Sequence, residues 1–261
     1  MAEQRRCADA SLTAVTGQRF TVSLPPQTDP LIGREVLEVR YEDGTLEQLR
    51  LHDYERLYAL PGAYEQIVTD RLGCTSPQVI ASMLGTELDR AGRSRQSARV
   101  IDIAAGNGVS GEALVAEGLR PVLGTDIVPS ARTAALRDRP GVYEEYLTLD
   151  LLALDAETER HIRSLRADVL QCVAPVGDSA EQLPEQALAA AVRLLEPDAL
   201  VAYMHDPGPN PEDAVTFGFW RRELGSHVDA RELVRRRYVH RRTVNGRPYE
   251  MVGVVWRIVR A

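Results

Sequence analysis

The chain has 261 residues, 44% of them hydrophobic and 26% charged, which is the composition of a folded globular protein rather than a disordered one. All 31 basic residues are arginine, which excludes a lysine Schiff base and a P-loop lysine on a nucleotide phosphate. A net charge of −7 argues against a whole-surface nucleic-acid binder, because displacing counterions needs positive charge. Cys7, Cys74 and Cys172 are widely spaced with no C-x-x-C pair, so neither a disulfide framework nor a cysteine zinc site is expected. No His, Asp and Glu set has metal-ligand spacing either, and no metal is expected. The N-terminal stretch lacks the long apolar core of a secretory signal, and no segment approaches the roughly 18 apolar residues of a membrane helix. The expectation is a cytoplasmic protein without membrane or nucleic-acid partners.

Residues 1–20 are polar and aperiodic, and Pro25, Pro26 and Pro30 punctuate the next stretch. Residues 35–41 alternate as a strand, meet the turn signal Glu42-Asp43-Gly44, and lead into 45–51, which predicts a hairpin. From Asp53 to Leu72 the spacing turns helical, broken at Pro61-Gly62. Ser76-Pro77 reads as an N-cap followed by proline at the first helical position, opening a helix to Leu88. Gly92 to Ser97 is a polar linker. Residues 1–97 therefore read as an N-terminal extension and cap, and 98–261 as a second domain.

From Ala98, strands are expected at 98–103, 121–126, 144–149, 167–173 and 199–205. Helices are expected near 108–118, 129–138, 157–166, 180–195 and 211–224. Short strand–helix–strand units force right-handed crossovers, hence an α/β fold with a mainly parallel sheet between two helix layers. The ending differs: 236–244, Asn245-Gly246 and a run to Val259 predict an antiparallel hairpin. Regular alternation in that strand would put Arg235, Arg237 and Arg241 on one face and Arg236, Tyr238, His240 and Arg242 on the other. The arginines read as an edge strand guarded against aggregation. Attraction of an anionic acceptor and contact with a partner chain, which leaves a homodimer open, are the other readings, and a nucleic-acid contact is the weakest because clear aromatic interleaving is missing.

Chemistry enters at RVIDIAAGNGVSG (99–111), where a buried strand runs into small residues and then a helix. Small residues let the backbone turn sharply and approach a ligand, and the helix N-terminus offers free N–H groups. Gly106, Gly108 and Gly111 satisfy the dinucleotide pattern G-x-G-x-x-G, with Asp126 twenty residues after Gly106. Asp102 favours a different ligand. A pyrophosphate gains nothing from a carboxylate at the end of the first strand, whereas S-adenosylmethionine (SAM) carries a sulfonium and an ammonium.

The run Asp102-Ile103-Ala104-Ala105-Gly106-Asn107-Gly108 resembles the first motif of the class I SAM-dependent methyltransferases, and the resemblance extends over about Ala98 to Ala261. Ala104 departs from the pattern, standing where the family usually has its first glycine. The resemblance implies a seven-stranded sheet of order 3-2-1-4-5-7-6, a three-layer sandwich whose last strand is antiparallel. It implies SAM as cofactor, S-adenosylhomocysteine as product and a small-molecule acceptor. It places Asp126 on the ribose hydroxyls beside Ile127, Asp150 on the adenine amino group with Leu151 and Leu152 against the ring, and Gln171, Cys172 and Val173 near the methyl donor. Asp102, Ala104, Gly106, Asn107 and Gly108 form the loop itself.

Tyr54, Tyr58 and Tyr64 precede the loop, and in this family such segments often close over the cofactor. Tyr58 or Tyr64 would then reach the methionine carboxylate; packing between cap and sheet is the other role open to them. Cys172 reads as a small lining residue. His205, at the end of the fifth strand beside the loop 204–215, is a candidate base for an acceptor hydroxyl or simply part of a His-Asp-Pro turn. Transfer to an oxygen or nitrogen of a small molecule is expected. The absence of lysine and the run ALAAAV (187–192) suit a G+C-rich coding sequence and a specialised-metabolite substrate. Alternatives are an NAD-dependent oxidoreductase and a SAM-binding partner subunit without methylating activity.

Overall fold

Seven segments alternate or run apolar at strand length from Arg99 onward, and the computed structural model pairs all of them into one sheet. The structure describes residues 12–13, 17–28, 31–177, 182–207 and 217–260. The strands are β5 (Arg99–Ile103), β6 (Arg120–Asp126), β7 (Glu145–Thr148), β8 (Val169–Pro175), β9 (Ala199–His205), β10 (Val228–Arg242) and β11 (Pro248–Arg260). Their order is β7-β6-β5-β8-β9-β11-β10, the expected 3-2-1-4-5-7-6. The first five run parallel, and β11 is antiparallel to both β9 and β10.

Neighbouring residues of a strand face opposite sides, so each central strand feeds two cores. Ile101, Ile103, Leu170, Val201 and Tyr203 pack under α5 (Ala156–Ser164), α6 (Glu185–Val192) and α7 (Phe217–Leu224). Val100, Val169, Leu200, Ala202 and Met204 pack under α2 (Ser76–Arg90) and α3 (Val109–Ala116). A third cluster joins α1 (Tyr54–Ala59) to α4 (Pro129–Asp138) through Tyr58 and the alanines Ala131, Ala134 and Ala135.

The N-terminal part holds more strand than the sequence suggests. Beside the hairpin of β3 (Val36–Tyr41) and β4 (Leu46–Arg50) lie β1 (Leu12–Thr13) and β2 (Arg19–Ser23), completing a four-stranded antiparallel sheet. Residues 19 and 20, expected to be aperiodic, are part of β2, where Phe20 and Val22 alternate into a core with Leu37, Val39 and Leu57. Residues 65–71 form a π-helical segment rather than a continuation of α1, with Leu72 N–H donating five residues back to Ile67 O at 2.9 Å.

Residues 54–75 cross the carboxyl edge of the large sheet. At one end the Ser130 hydroxyl donates to Glu55 at 3.0 Å and Arg137 donates to Tyr58 O at 3.2 Å. At the other, Arg242 N–H donates to Leu72 O at 2.6 Å and Thr75 N–H to His240 O at 2.8 Å. Ser76, expected as an N-cap, lies inside α2 behind Thr75, and its hydroxyl bonds to Tyr238 and His240 instead. β10 begins at Val228 rather than 236, and its bulge between Val239 and Arg241 resets the alternation expected along the strand. Arg241 consequently turns inward and forms a buried ion pair with Glu35.

Candidate functional site

The loop after β5 turns on three residues with positive φ: Ala104 at 51°, Gly106 at 54° and Gly108 at 88°. A Cβ on Gly106 would run into the Tyr58 hydroxyl, so glycine is needed there for close approach as well as for φ. The loop is pinned from below: Gly106 N–H donates to Asp126 Oδ2 at 2.9 Å, and the Tyr146 hydroxyl donates to Gly106 O at 2.6 Å. Asn107 Nδ2 donates to Glu65 Oε1 at 2.7 Å, and Arg139 donates to the same oxygen.

Asp102 is fully buried, and all its hydrogen bonds are internal. The hydroxyls of Ser110 and Tyr143 each donate to Oδ2 at 2.7 Å, and Gln171 Nε2 donates to Oδ1 at 3.3 Å. Burial pushes its carboxyl up to about 6 against these bonds, with the nearby charge of Asp126 adding to the rise. The Tyr143 hydroxyl also accepts from Gly111 N–H at 3.1 Å, which caps the start of α3. A Cβ on Gly111 would collide with the Tyr143 ring, so the third glycine of the apparent dinucleotide pattern makes room for a tyrosine.

Asp126 ends β6, nearly buried, with Oδ1 accepting from Val128 N–H at 2.9 Å and Oδ2 from Gly106. Burial raises its pKa, and the backbone N–H groups of Val128, Gly106 and Ile127 hold that rise back. Each oxygen keeps a further lone pair. Ile127 beside it is 64% exposed and Leu152, past the end of β7, is 56% exposed. Two bare apolar side chains thus stand at the carboxyl ends of neighbouring strands. Asp150 is exposed there, its Oδ1 accepting from Leu152 N–H at 2.8 Å, with Leu151 half-buried beside it.

The other expected residues spread along the same edge. Tyr58 is buried against Ala105 and Gly106, and Tyr64 packs on it with ring centroids 5.5 Å apart. Cys172 is buried, its thiol pushed up to about 12 by burial and bonded to Ala174 O, while Val173 is half-buried. His205 has both ring nitrogens engaged, Nδ1 with Asp206 O at 2.6 Å and Nε2 with the Arg235 guanidinium at 3.3 Å. Burial lowers its pKa and Arg235 lowers it further. Most of the loop 204–215 lies outside the described residues.

Tyr143, Tyr146 and Glu65 carry no motif that marks them in the sequence. The signal for the tyrosines is indirect: glycines at 111 and 124, whose missing side chains leave space that both rings fill. Glu65 has none, because its contact with Asn107 spans 42 residues. Among the described residues no cluster of three or more His, Cys, Asp and Glu side chains is placed to hold a metal ion, and no helix is long and apolar enough to cross a membrane.

No family model and no curated protein matches the sequence. Solved structures do. The 1,6-didemethyltoxoflavin-N1-methyltransferase of Burkholderia thailandensis, with bound 1,6-didemethyltoxoflavin and S-adenosylhomocysteine, aligns at TM-score 0.51 and 15% identity over 96% of this chain and 100% of that one. A SAM-dependent methyltransferase of Anabaena variabilis aligns at TM-score 0.49 and 14% identity, covering 82% of this chain and 96% of that one. Magnesium protoporphyrin IX methyltransferase of Synechocystis, with bound SAM, gives 0.45 and 16% over 71% and 80%. At 15% identity the likeness to the Burkholderia enzyme is one of architecture, and with the strand order it leads to one conclusion. The chain has the class I SAM-dependent methyltransferase fold.

Proposed function

We propose that this protein binds SAM and transfers its methyl group to an oxygen or nitrogen of a small molecule, a specialised metabolite in our reading. One observation carries the choice of cofactor: the loop is surrounded by acceptors in want of a donor. Glu65 Oε2 and Gln171 Oε1 are buried without a hydrogen-bond partner among the described residues, and each belongs to a side chain bonded into the loop or its base. With Asp126, whose oxygens each keep a lone pair, they offer acceptors to the N–H groups of a cation, Glu65 meeting Arg139 through its other oxygen. SAM brings an ammonium and a sulfonium, whereas a pyrophosphate would add negative charge to unmatched acceptors. The dinucleotide reading is weakened further by Tyr143, which already caps the helix end that a pyrophosphate would use.

In this reading Asp126 receives the ribose hydroxyls, and Ile127, Leu151 and Leu152 flank the adenine with Asp150 at its amino group. The loop residues Ala104, Gly106, Asn107 and Gly108 follow the methionine arm, Tyr58 and Tyr64 cover it from the N-terminal side, and Cys172 and Val173 line the wall below the methyl group. Asp102 acts through the residues it holds. When bound, SAM would supply a methyl group on cationic sulfur to the acceptor's lone pair, the C–S electrons returning to sulfur and the acceptor's proton passing to solvent once the product is released. The protein's share is to align the acceptor and exclude water. With both nitrogens engaged, His205 fixes the turn at Asp206 and is not the base. The Burkholderia enzyme, named for N1 methylation of 1,6-didemethyltoxoflavin, supports a small-molecule acceptor by analogy of fold.

Calorimetry with SAM and with NAD tests the reading. SAM binding in the micromolar range without NAD binding is expected, and the reverse would overturn the proposal. Asp126→Ala should weaken SAM by about 1–3 kcal/mol through lost charge-assisted hydrogen bonds. Labelled SAM that binds without transfer to any acceptor would favour the non-methylating partner subunit.

A further inference from the structure

Beyond the cofactor loop, the strap of residues 54–75 ends on β10 at a second polar cluster. The bulge between Val239 and Arg241 inserts His240 three residues past Arg237, whose partner Val252 on β11 pairs with His205 at the end of β9. His240 Nδ1 lies 2.6 Å from Ser76 Oγ, Ser76 Oγ lies 2.8 Å from the Tyr238 hydroxyl, and Tyr238 donates to Met204 Sδ at 3.3 Å.

The direction of this chain sets the tautomer of His240. Met204 sulfur can only accept, and Tyr238 has a single proton to give. The direction that gives this sulfur a proton runs from His240 Nδ1–H to Ser76, from Ser76 to Tyr238 and from Tyr238 to Met204. That direction carries the Nδ1–H tautomer and leaves the lone pair on Nε2, for which no partner is found among the described residues. Burial, with Arg241 and His52 nearby, lowers the pKa of the ring to about 3, so it stays neutral. The edge of its ring meets Tyr249 with centroids 5.7 Å apart, and Cys74 Sγ lies 3.8 Å from Nδ1.

Resting on the methyltransferase reading, we infer that His240 Nε2 is the acceptor-recognising group, taking a hydrogen bond from an N–H or O–H on an aromatic ring that packs along the strap. The surroundings fit such a ring. Tyr54 and Tyr58 stack at 5.6 Å, Tyr58 and Tyr64 lie at 5.5 Å, and Tyr249 stands beside the histidine. Aromatic neighbours favour flat, polarisable ligands, and a fixed lone pair selects those that carry a donor. His240 is a positioning residue for substrate in this role, a different one from the His205 expected from the sequence.

Nitrogen-15 NMR of histidine-labelled protein tests the tautomer without any ligand: across the neutral range Nδ1 should be protonated and Nε2 bare. Phenol titrated in the presence of S-adenosylhomocysteine should move the Nε2 resonance, and anisole, which has no O–H, should not. His240→Phe should bind phenol about tenfold more weakly, the worth of one hydrogen bond. His240→Gln, whose amide oxygen reaches the Nε2 position, should restore binding to within about threefold of the native protein. A protonated Nε2, equal responses to phenol and anisole, or unchanged phenol affinity in a folded His240→Phe protein would each overturn the inference. Failure of the native protein to bind S-adenosylhomocysteine would instead overturn the methyltransferase reading, with the tautomer still decided by the ligand-free spectrum.

Discussion

Ala104 is a residue at which sequence and backbone disagree. Its φ of 51° lies in the left-handed region, which costs an L-residue about 1–2 kcal/mol. A glycine would avoid that strain at an entropic cost of about 0.5–1 kcal/mol. Ala104→Gly should therefore stabilise the protein by about 0.5–1 kcal/mol, read as a higher denaturation midpoint in urea. An unchanged or lower midpoint would mean that the alanine methyl makes a compensating contact. The departure from the family pattern is visible in the sequence; its conformational cost is not, because it depends on how Gly106 and Asp126 hold the turn.

At the scale of elements, Asp102 joins β5 to α3 through Ser110, to β8 through Gln171 and to the 139–144 connection through Tyr143. Its place in the sequence marks it as an acid at a strand end facing a cofactor, whereas the fold buries it as an internal junction. Its carboxyl is raised to about 6, so between the normal carboxylate range and that value the folded state binds more protons than the unfolded one. The contribution of this group to stability consequently falls as pH rises through that window. Asp102→Asn removes the titration, and its thermal midpoint should gain on the native protein as pH is raised from about 4 to 7. A constant difference between the two proteins would show that the carboxyl titrates normally. The same scale explains the errors in β10. Alternation predicts its faces only up to the bulge, and a single inserted residue moves His240 and Arg241 to positions that period-two reasoning could not assign.

The whole molecule is closed by contacts between its two ends. Glu35, just ahead of β3, pairs with Arg241 of β10 and accepts from Val244 N–H at 2.9 Å, across more than 200 residues. Both side chains are at least 96% buried, so removing one charge strands the other. Glu35→Gln should cost about 3–5 kcal/mol, and adding Arg241→Met should recover a large part of it, both measured by chemical denaturation. If the double variant is no more stable than the single one, the pair supplies packing rather than charge balance. One of the 31 arginines, in a run that reads from sequence as a solvated edge, thus fastens the N-terminal sheet to the C-terminal hairpin.

The strands, the glycine loop and the acids at or near the ends of β5, β6 and β7 were legible in short-range patterns of apolar runs, turn residues and strand ends, and the sheet order followed from the family resemblance that the loop carries. What those groups face was settled by folding alone. The fold buried Asp102, left Ile127 and Leu152 bare, engaged both nitrogens of His205 and set His240 at a bulge with one nitrogen open. Most of these outcomes depend on partners dozens of residues away, and burial and proton direction are properties of the partners a fold brings together. The absence of lysine settled which chemistries are excluded, while tertiary packing alone settled the burial and hydrogen-bond partners of each carboxylate and histidine.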